Sequence, residues 1–228
     1  MGSSETTRST PGEPAIWLGL IVRGDDRAKA CTGRRLLDWQ KVHRYNPGSD
    51  RLRRLLLDPH APEPLSRQDD TVARSGGVVV VDCSWNRLAR RPTALDPDGP
   101  PTPRLLRRRL PLLLAANPQH FGRLAELNTV EAFAAALYLV GAPDRAAGIL
   151  DGFRGGTTFL TLNRERLEAY RAAPSPTEVQ AAERRLFSGG RHSLVGSAGV
   201  SGTSATSASE ASRAPKGTRA ARTPPYSA

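Results

Sequence analysis

The sequence predicts an α/β fold with a mostly parallel sheet up to about residue 100 and a helical half beyond it, and three observations carry this reading. Val78, Val79, Val80 and Val81 follow one another without polar alternation. Such a run marks a strand buried on both faces, the usual case where helices cover a parallel sheet. Residues 15–39 read as strand, loop and helix in succession. After a Pro-rich stretch at 97–103, apolar positions recur at helical spacing as far as residue 187.

The elements follow in order. Ala15-Ile16-Trp17-Leu18-Gly19-Leu20-Ile21-Val22 is a short apolar run read as a buried first strand. Thr32-Gly33 leads into a helix in which Leu36, Leu37 and Trp39 share a face. Leu55-Leu56-Leu57 is a second strand stopped by Asp58-Pro59. Pro64-Leu65-Ser66-Arg67-Gln68-Asp69-Asp70 supplies the cap and first turn of a short helix through Ala73, and Gly76-Gly77 turns the chain into the valine strand. Helices are expected over 104–116, 127–140, 144–153, 157–170 and 177–187, with Gly141, Gly155 and Gly156 as stops. The expected organisation is a disordered N-terminus (1–14), an α/β domain (15–103), a helical domain (104–187) and a tail (188–228). The tail is built mainly of Ser, Ala, Gly, Thr and Pro, too little apolar surface to offset the entropy of ordering it.

The net charge is +11, and it is unevenly spread: residues 34–123 hold 17 basic and 9 acidic side chains, while 124–187 hold 7 and 8. Of the 33 cations, 30 are Arg, whose planar fork suits phosphate and stacks on bases. Codon usage in a GC-rich genome accounts for part of the Arg:Lys ratio but not for the uneven charge, so nucleic acid is the leading partner class. No apolar run approaches the roughly 20 residues needed to span a bilayer, and residues 1–13 have no hydrophobic segment of signal type, so a cytoplasmic protein without a membrane partner is expected. Cys31 and Cys83 lie far apart without a Cys/His cluster, which argues against a disulfide scaffold and against a metal. His43, His60, His120 and His192 show no ligand spacing, and neither a Walker loop nor GxGxxG is present. Ser84 lacks a Gly-x-Ser-x-Gly elbow and Cys83 has no obvious histidine to activate it, which leaves nucleophilic hydrolysis without its machinery.

Ligands of open parallel sheets bind beyond the carboxyl ends of the strands. Three segments fall there: Cys31-Thr32-Gly33, Leu57-Asp58-Pro59, and Val81-Asp82-Cys83-Ser84-Trp85. An Asp directly after four valines is costly to bury without a partner, so Asp82 is either a cap or a site residue. Trp85 is either core or a stacking surface for a planar ligand. Asp25-Asp26 and Asp69-Asp70 are more simply caps than paired catalytic carboxylates.

Six motifs in this order, Cys31-Thr32-Gly33-Arg34-Arg35-Leu36, Leu65-Ser66-Arg67-Gln68-Asp69, Val81-Asp82-Cys83-Ser84-Trp85, Leu110-Pro111-Leu112-Leu113-Leu114-Ala115-Ala116-Asn117-Pro118, Leu127-Asn128-Thr129-Val130-Glu131-Ala132 and Phe159-Leu160-Thr161-Leu162-Asn163, resemble the aminocarboxypropyltransferases of small-subunit ribosomal RNA over about residues 16–170. The resemblance implies a SPOUT-like fold with a deep trefoil knot, the helical domain being threaded through the α/β domain. It implies S-adenosylmethionine as cofactor, small-subunit rRNA or a pre-ribosomal particle as partner, and a monomer. The implied reaction moves the 3-amino-3-carboxypropyl arm to N3 of a modified uridine or pseudouridine and releases methylthioadenosine. All three carbons on the sulfonium are electrophilic, so the product is chosen by position.

Carried over by the resemblance, Leu57, Pro59 and Trp85 line the slot for the adenosine and methyl end, Val81 offers backbone oxygen to the ribose, and Thr32 and Thr129 hold the carboxylate of the amino acid arm. Leu110 and Ala125 face the adenine; the family has an aromatic residue where this chain has Ala125. His120-Phe121-Gly122 replaces the family's Asn-Tyr-Gly, and Gly155-Gly156 a Trp-Gly. Asp82 is the candidate catalytic residue, as base or electrostatic partner for the imide proton. Charge, not motif, nominates Arg34, Arg35, Arg87, Arg104, Arg107, Arg108 and Arg109 as phosphate contacts. Two rival readings are a SPOUT-type RNA methyltransferase and a non-enzymatic, basic ribosome-assembly factor.

Overall fold

The structure, a computed structural model, describes residues 15–22, 32–49, 51–82, 102 and 104–188. The expected N-terminal and C-terminal tails, and the Pro-rich stretch apart from Thr102, lie outside the described residues. Among the described residues five strands form one parallel sheet: β1 (Leu18–Val22), β2 (His43–Arg44), β3 (Arg54–Leu57), β4 (Val78–Asp82) and β5 (Leu105–Arg108), in the order β2-β1-β4-β3-β5. Helix α1 (Thr32–Asp38) connects β1 to β2, and α2 (Asp70–Gly76) connects β3 to β4. Beyond the sheet come α3 (Thr129–Leu139), α4 (Pro143–Leu150), α5 (Gly156–Leu162), α6 (Arg164–Ala172) and α7 (Pro176–Ser188). No described helix is long and apolar enough to cross a membrane.

The valine strand occupies the centre, paired on one side with β1, from Leu18↔Val78 to Val22↔Asp82, and on the other with β3, from Leu55↔Val78 to Leu57↔Val80. Its two faces feed different clusters. Val78 and Val80 join Leu18, Leu20, Leu55 and Leu57 in the main core, whereas Val79 joins Ile21, Leu56 and Leu105 on the opposite face. Unbroken apolar runs are thus buried on both sides, as the absence of alternation predicts. Leu36 of α1 and Ala73 of α2 pack into the main core, and so do Val130, Phe133, Ala134 and Leu137 of α3. Side chains from before and after residue 104 therefore share one cluster. The turn into β4 needs glycine twice. A Cβ on Gly76 would lie 1.8 Å from the Arg53 carbonyl oxygen, and Gly77 has φ +92° with its Cβ position 2.4 Å from the Trp17 carbonyl oxygen.

Two sequence expectations are corrected. Residues 104–116 were expected to be helical, but Leu105–Arg108 is the edge strand β5 and the chain stays extended through Pro111. Proline lacks the N–H a helix interior requires and drives the residue before it to extended geometry, so Pro111 overrides the leucine spacing. The single helix expected over 157–170 is two, α5 and α6, broken at Asn163. The two-residue strand β2 carries no apolar signal and was not foreseen; both its residues are exposed, and it exists through pairing with Gly19 and Leu20.

Candidate active site

The carboxyl ends of β3 and β4 meet the first residues of α1 and α3. Asp82 closes β4 half-buried, and its Oδ1 accepts a 2.6 Å hydrogen bond from Thr129 Oγ1 at the start of α3. From the other side α1 approaches so closely that a Cβ on Gly33 would fall 2.2 Å from Asp82 Oδ2 and 2.5 Å from its Cγ. Gly33, the residue after the expected binding residue Thr32, and Thr129, itself an expected binding residue, therefore flank one carboxylate, each at a helix start. The start of α3 is fixed by a capping box: the Asn128 side chain accepts from Glu131 N–H, and the Glu131 carboxylate accepts from Asn128 N–H.

Next to Asp82, β3 ends on Leu57, which is buried and opposite Val80 in the register. The bend that follows is held by Asp58, which is wholly buried. Its Oδ1 accepts from His60 N–H at 3.0 Å, its Oδ2 accepts from Arg107 at 2.7 Å, and its own N–H donates to Arg108 O. Leu57 and Pro59 thus stand on either side of a pinned carboxylate, with Pro59 and Val81 half-buried. Sequence reasoning set Leu57-Asp58-Pro59 at this strand end but gave Asp58 no role of its own, although a charged residue directly after an apolar strand calls for a partner.

Residues 109–117 follow β5 as an extended segment that is largely buried yet belongs to no regular element. Its backbone groups need partners, and helix side chains supply them. Glu183 of α7 takes a two-pronged hydrogen bond from Arg109 at 2.7 and 2.8 Å and accepts from Leu112 N–H. Tyr170 of α6 donates to Leu112 O at 3.0 Å. Asn163, at the break between α5 and α6, both accepts from Leu114 N–H and donates to Leu114 O, each at 2.8 Å, standing in for a strand neighbour. Glu131 accepts from Ala116 N–H and from Asn117 Nδ2. Sequence reasoning assigned no role to these four residues, although Glu131 and Asn163 lie in the quoted motifs. Leu110 lies in this segment and Ala125 borders it, both half-buried. Ala125 has φ +62° and donates its N–H to Leu113 O, a left-handed backbone that costs a residue with a Cβ about 1 kcal/mol.

The expected phosphate contacts divide. Arg34 is exposed, with Asp38 at 3.9 Å. Arg35 lies over the rings of Trp39 and Phe153 at 4.4 and 4.7 Å and donates to Gly152 O. Arg104 is exposed and donates to Arg51 O. Arg107 pairs with Asp58 but keeps 39% of its side chain exposed. For Arg108 and Arg109 the expectation is corrected. Arg108 bridges Asp69 and Glu63, Arg109 grips Glu183, and their side chains are only 16% and 14% exposed, so these forks pin β5 and its continuation. Trp85 and Arg87 lie outside the described residues. Among the described residues no cluster of three His, Cys, Asp or Glu side chains could hold a metal ion.

A parallel sheet with a carboxylate at its central strand end, set between two helix starts and beside an apolar strand-end bend, defines an α/β protein that handles a cofactor at its strand ends. Comparison with known proteins sharpens this class. Residues 55–187 match the family described as "Ribosome biogenesis protein, C-terminal". The 16S rRNA aminocarboxypropyltransferase of Methanosarcina mazei is 41% identical over 169 residues, 72% of this chain and 91% of that protein. The enzyme of the same name from Methanopyrus kandleri is 43% identical over 152 residues, 66% of this chain and 86% of that protein. The solved structure of the SAM-dependent rRNA:acp-transferase Tsr3 from Vulcanisaeta distributa superposes with a TM-score of 0.66 at 31% identity, covering 76% of this chain and 90% of that one. The chain belongs to the 16S rRNA aminocarboxypropyltransferase family.

Proposed function

We propose that this chain transfers the 3-amino-3-carboxypropyl group of S-adenosylmethionine to N3 of a modified uridine or pseudouridine in small-subunit rRNA, as a step of ribosome biogenesis. The observation that carries the reading is the half-exposed Asp82 carboxylate held by Thr129 and closed over by Gly33 at the strand ends. The residues present suit the cofactor: an apolar bend for the nucleoside, and two threonines beside backbone donors for a carboxylate. When bound, it supplies an alkyl carbon activated by a sulfonium.

Leu57, Pro59 and Trp85 bind the adenosine and methyl end through apolar contact, Val81 accepts from the ribose hydroxyls, and Leu110 and Ala125 close over the adenine. Thr32 and Thr129 orient the amino acid arm through its carboxylate, Thr129 by its backbone N–H, because its hydroxyl already donates to Asp82. Asp82 accepts a hydrogen bond from the imide N3–H of the incoming base and would take that proton as the N3–C bond forms and the C–S bond to methylthioadenosine breaks. A carboxylate is a weak base for an imide proton, so its contribution is chiefly positional. The exposed cations Arg34 and Arg104 meet RNA phosphates. The same reading joins the α/β part (15–103) to the part 104–187, helical beyond the edge strand β5, in a SPOUT-like trefoil-knotted arrangement, supported by the all-parallel sheet and by the likeness to a solved relative.

The test is incubation with unmodified 16S rRNA and S-adenosylmethionine labelled separately on the methyl group and on the carboxypropyl arm. Arm label retained on RNA together with released methylthioadenosine is expected. Methyl label on RNA together with S-adenosylhomocysteine would establish the methyltransferase reading instead, and no transfer with intact rRNA binding would leave an assembly factor.

A further inference from the structure

Among the described residues, the large apolar side chains left exposed are Trp39, Leu52 and Phe121, at 43%, 51% and 62%. Trp39 packs on Phe153 with Arg35 against its ring, and so has a place in the fold. Phe121 has no ring or cation packed on it among the described residues, and it is the most exposed of the three. Its position is not that of a loose loop. Both ends of the excursion 117–128 fasten to one buried carboxylate, since Glu131 accepts from Asn117 Nδ2 and from Asn128 N–H, each at 2.8 Å. Between them Gly122 donates to Ala115 O, Ala115 to Arg123 O, and Ala125 to Leu113 O, all at 2.8 Å. His120 closes onto Glu126, and its N–H donates to Asn117 Oδ1 at 3.0 Å. Gly122 at φ +76° and Ala125 at φ +62° shape the tip.

We infer that Phe121 is a stacking platform for an unpaired nucleobase of the rRNA next to the target nucleotide, with Arg123 contacting the adjoining phosphate. This inference rests on the proposed rRNA substrate. Three features support it. The platform is pre-organised, so an incoming base does not have to order it. Arg123, two residues away, has a side chain 63% exposed, with Glu126 at 3.4 Å as its acidic neighbour. The excursion runs from its anchor at Asn128 into Thr129, which donates to Asp82, so the loop that carries Phe121 is joined to the strand-end site through the start of α3. RNA is read mainly where bases are unpaired and can stack on an aromatic face flanked by cations. A protein partner would also find an exposed ring here, but the neighbouring Arg and the cationic stretch 34–123 favour the polyanion.

The test uses the full chain and its Phe121→Ala, Phe121→Leu and Phe121→Tyr variants. Three quantities are measured: equilibrium binding of fluorescently labelled, unmodified 16S rRNA without cofactor, the KM for that RNA in methylthioadenosine release, and S-adenosylmethionine affinity by calorimetry. Loss of one base–aromatic stack corresponds to about a 5- to 150-fold weakening. Phe121→Ala and Phe121→Leu are expected to weaken rRNA binding and raise its KM within that range, while cofactor affinity stays within about twofold and Phe121→Tyr behaves as the parent. Unchanged rRNA binding in Phe121→Ala overturns the inference. So does a Leu variant equal to Tyr, which would mean apolar docking without stacking. Because the binding arm needs neither cofactor nor turnover, a parent protein that transfers nothing would refute the transferase reading while Phe121 is still judged on its own measurement.

Discussion

The closest approach in the site is a glycine against a carboxylate, and Gly33→Ala therefore separates stability from activity. Ordinary van der Waals contact begins near 3.4 Å, whereas the added methyl would sit 2.2 Å from Asp82 Oδ2, 2.5 Å from Cγ and 3.0 Å from Oδ1. Rotating one oxygen aside does not suffice, because the whole carboxyl group is too near. It must retreat by about 1 Å, and the 2.6 Å bond from Thr129 cannot survive that movement. The fold loses little, since Asp82 is half-exposed and alanine is a better helix former than glycine by up to about 1 kcal/mol. A 1 Å displacement of a positioning group costs roughly 100-fold in rate. Gly33→Ala should thus melt at or slightly above the temperature of the parent and lose about 100-fold in kcat/KM for methylthioadenosine release. In a double-mutant cycle, Gly33→Ala added to Asp82→Ala should cost nothing further, because the group it displaces is gone. Full activity in the single variant, or additive losses in the double one, would refute the reasoning.

Four other perturbations probe the scaffold and the cations. Glu131→Gln turns an amide NH2 toward backbone and Asn117 donors that now meet a carboxylate, and should cost about 2–3 kcal/mol in denaturant unfolding. Tyr170→Phe leaves Leu112 O without its hydroxyl donor, a loss of about 1–2 kcal/mol at neutral pH. Burial, chiefly, holds the Tyr170 phenol well above the usual range, so the folded chain keeps its proton after the unfolded chain has lost it. The contribution is complete below the ordinary tyrosine pKa of about 10 and declines as pH rises beyond it, so unfolding curves of parent and Phe variant should converge in alkali. Arg34→Gln should lower the salt dependence of rRNA binding by about 0.7–0.9 in the log–log slope without changing stability. Arg109→Gln should leave that slope alone and destabilise the fold by about 3 kcal/mol, because Glu183 stays buried without its partner.

The sheet was legible because burial on both faces leaves a direct trace. A strand cannot hide polar groups when both sides are covered, and 78–81, 55–57 and 18–22 contain almost none. Helix starts were legible at Thr32 and at Asn128-Thr129 through small polar residues ahead of apolar spacing. β2 could not be read because its two residues are held by pairing with Gly19 and Leu20 and not by their own chemistry. β5 was misread for a different reason. Its leucines suit either period, and only the prolines beside it and the acids that receive its arginines decide between them. Those acids, Asp58, Asp69 and Glu183, come from distant positions in the chain.

That last point also limits what charge alone could say about the site. A cluster of arginines in sequence is equally the footprint of a polyanion and the means of fastening an edge strand, and the two are distinguished by whether a buried carboxylate waits within reach. Here Arg108 and Arg109 meet such carboxylates, while Arg34 and Arg123 keep more than half of their side chains in solvent beside acids that are not buried. Part of the positive stretch therefore belongs to the protein's own interior. The cations we assign to RNA lie at the start of α1, at Arg104 ahead of β5 and on the Phe121 excursion. Thr32 and Gly33 begin α1, and Thr129 follows directly on that excursion, so two of the stretches that carry exposed cations adjoin the residues packed against Asp82. A substrate held by its backbone at Arg34 and by a stacked base at Phe121 would thus present the intervening nucleotide to the one carboxylate both stretches share.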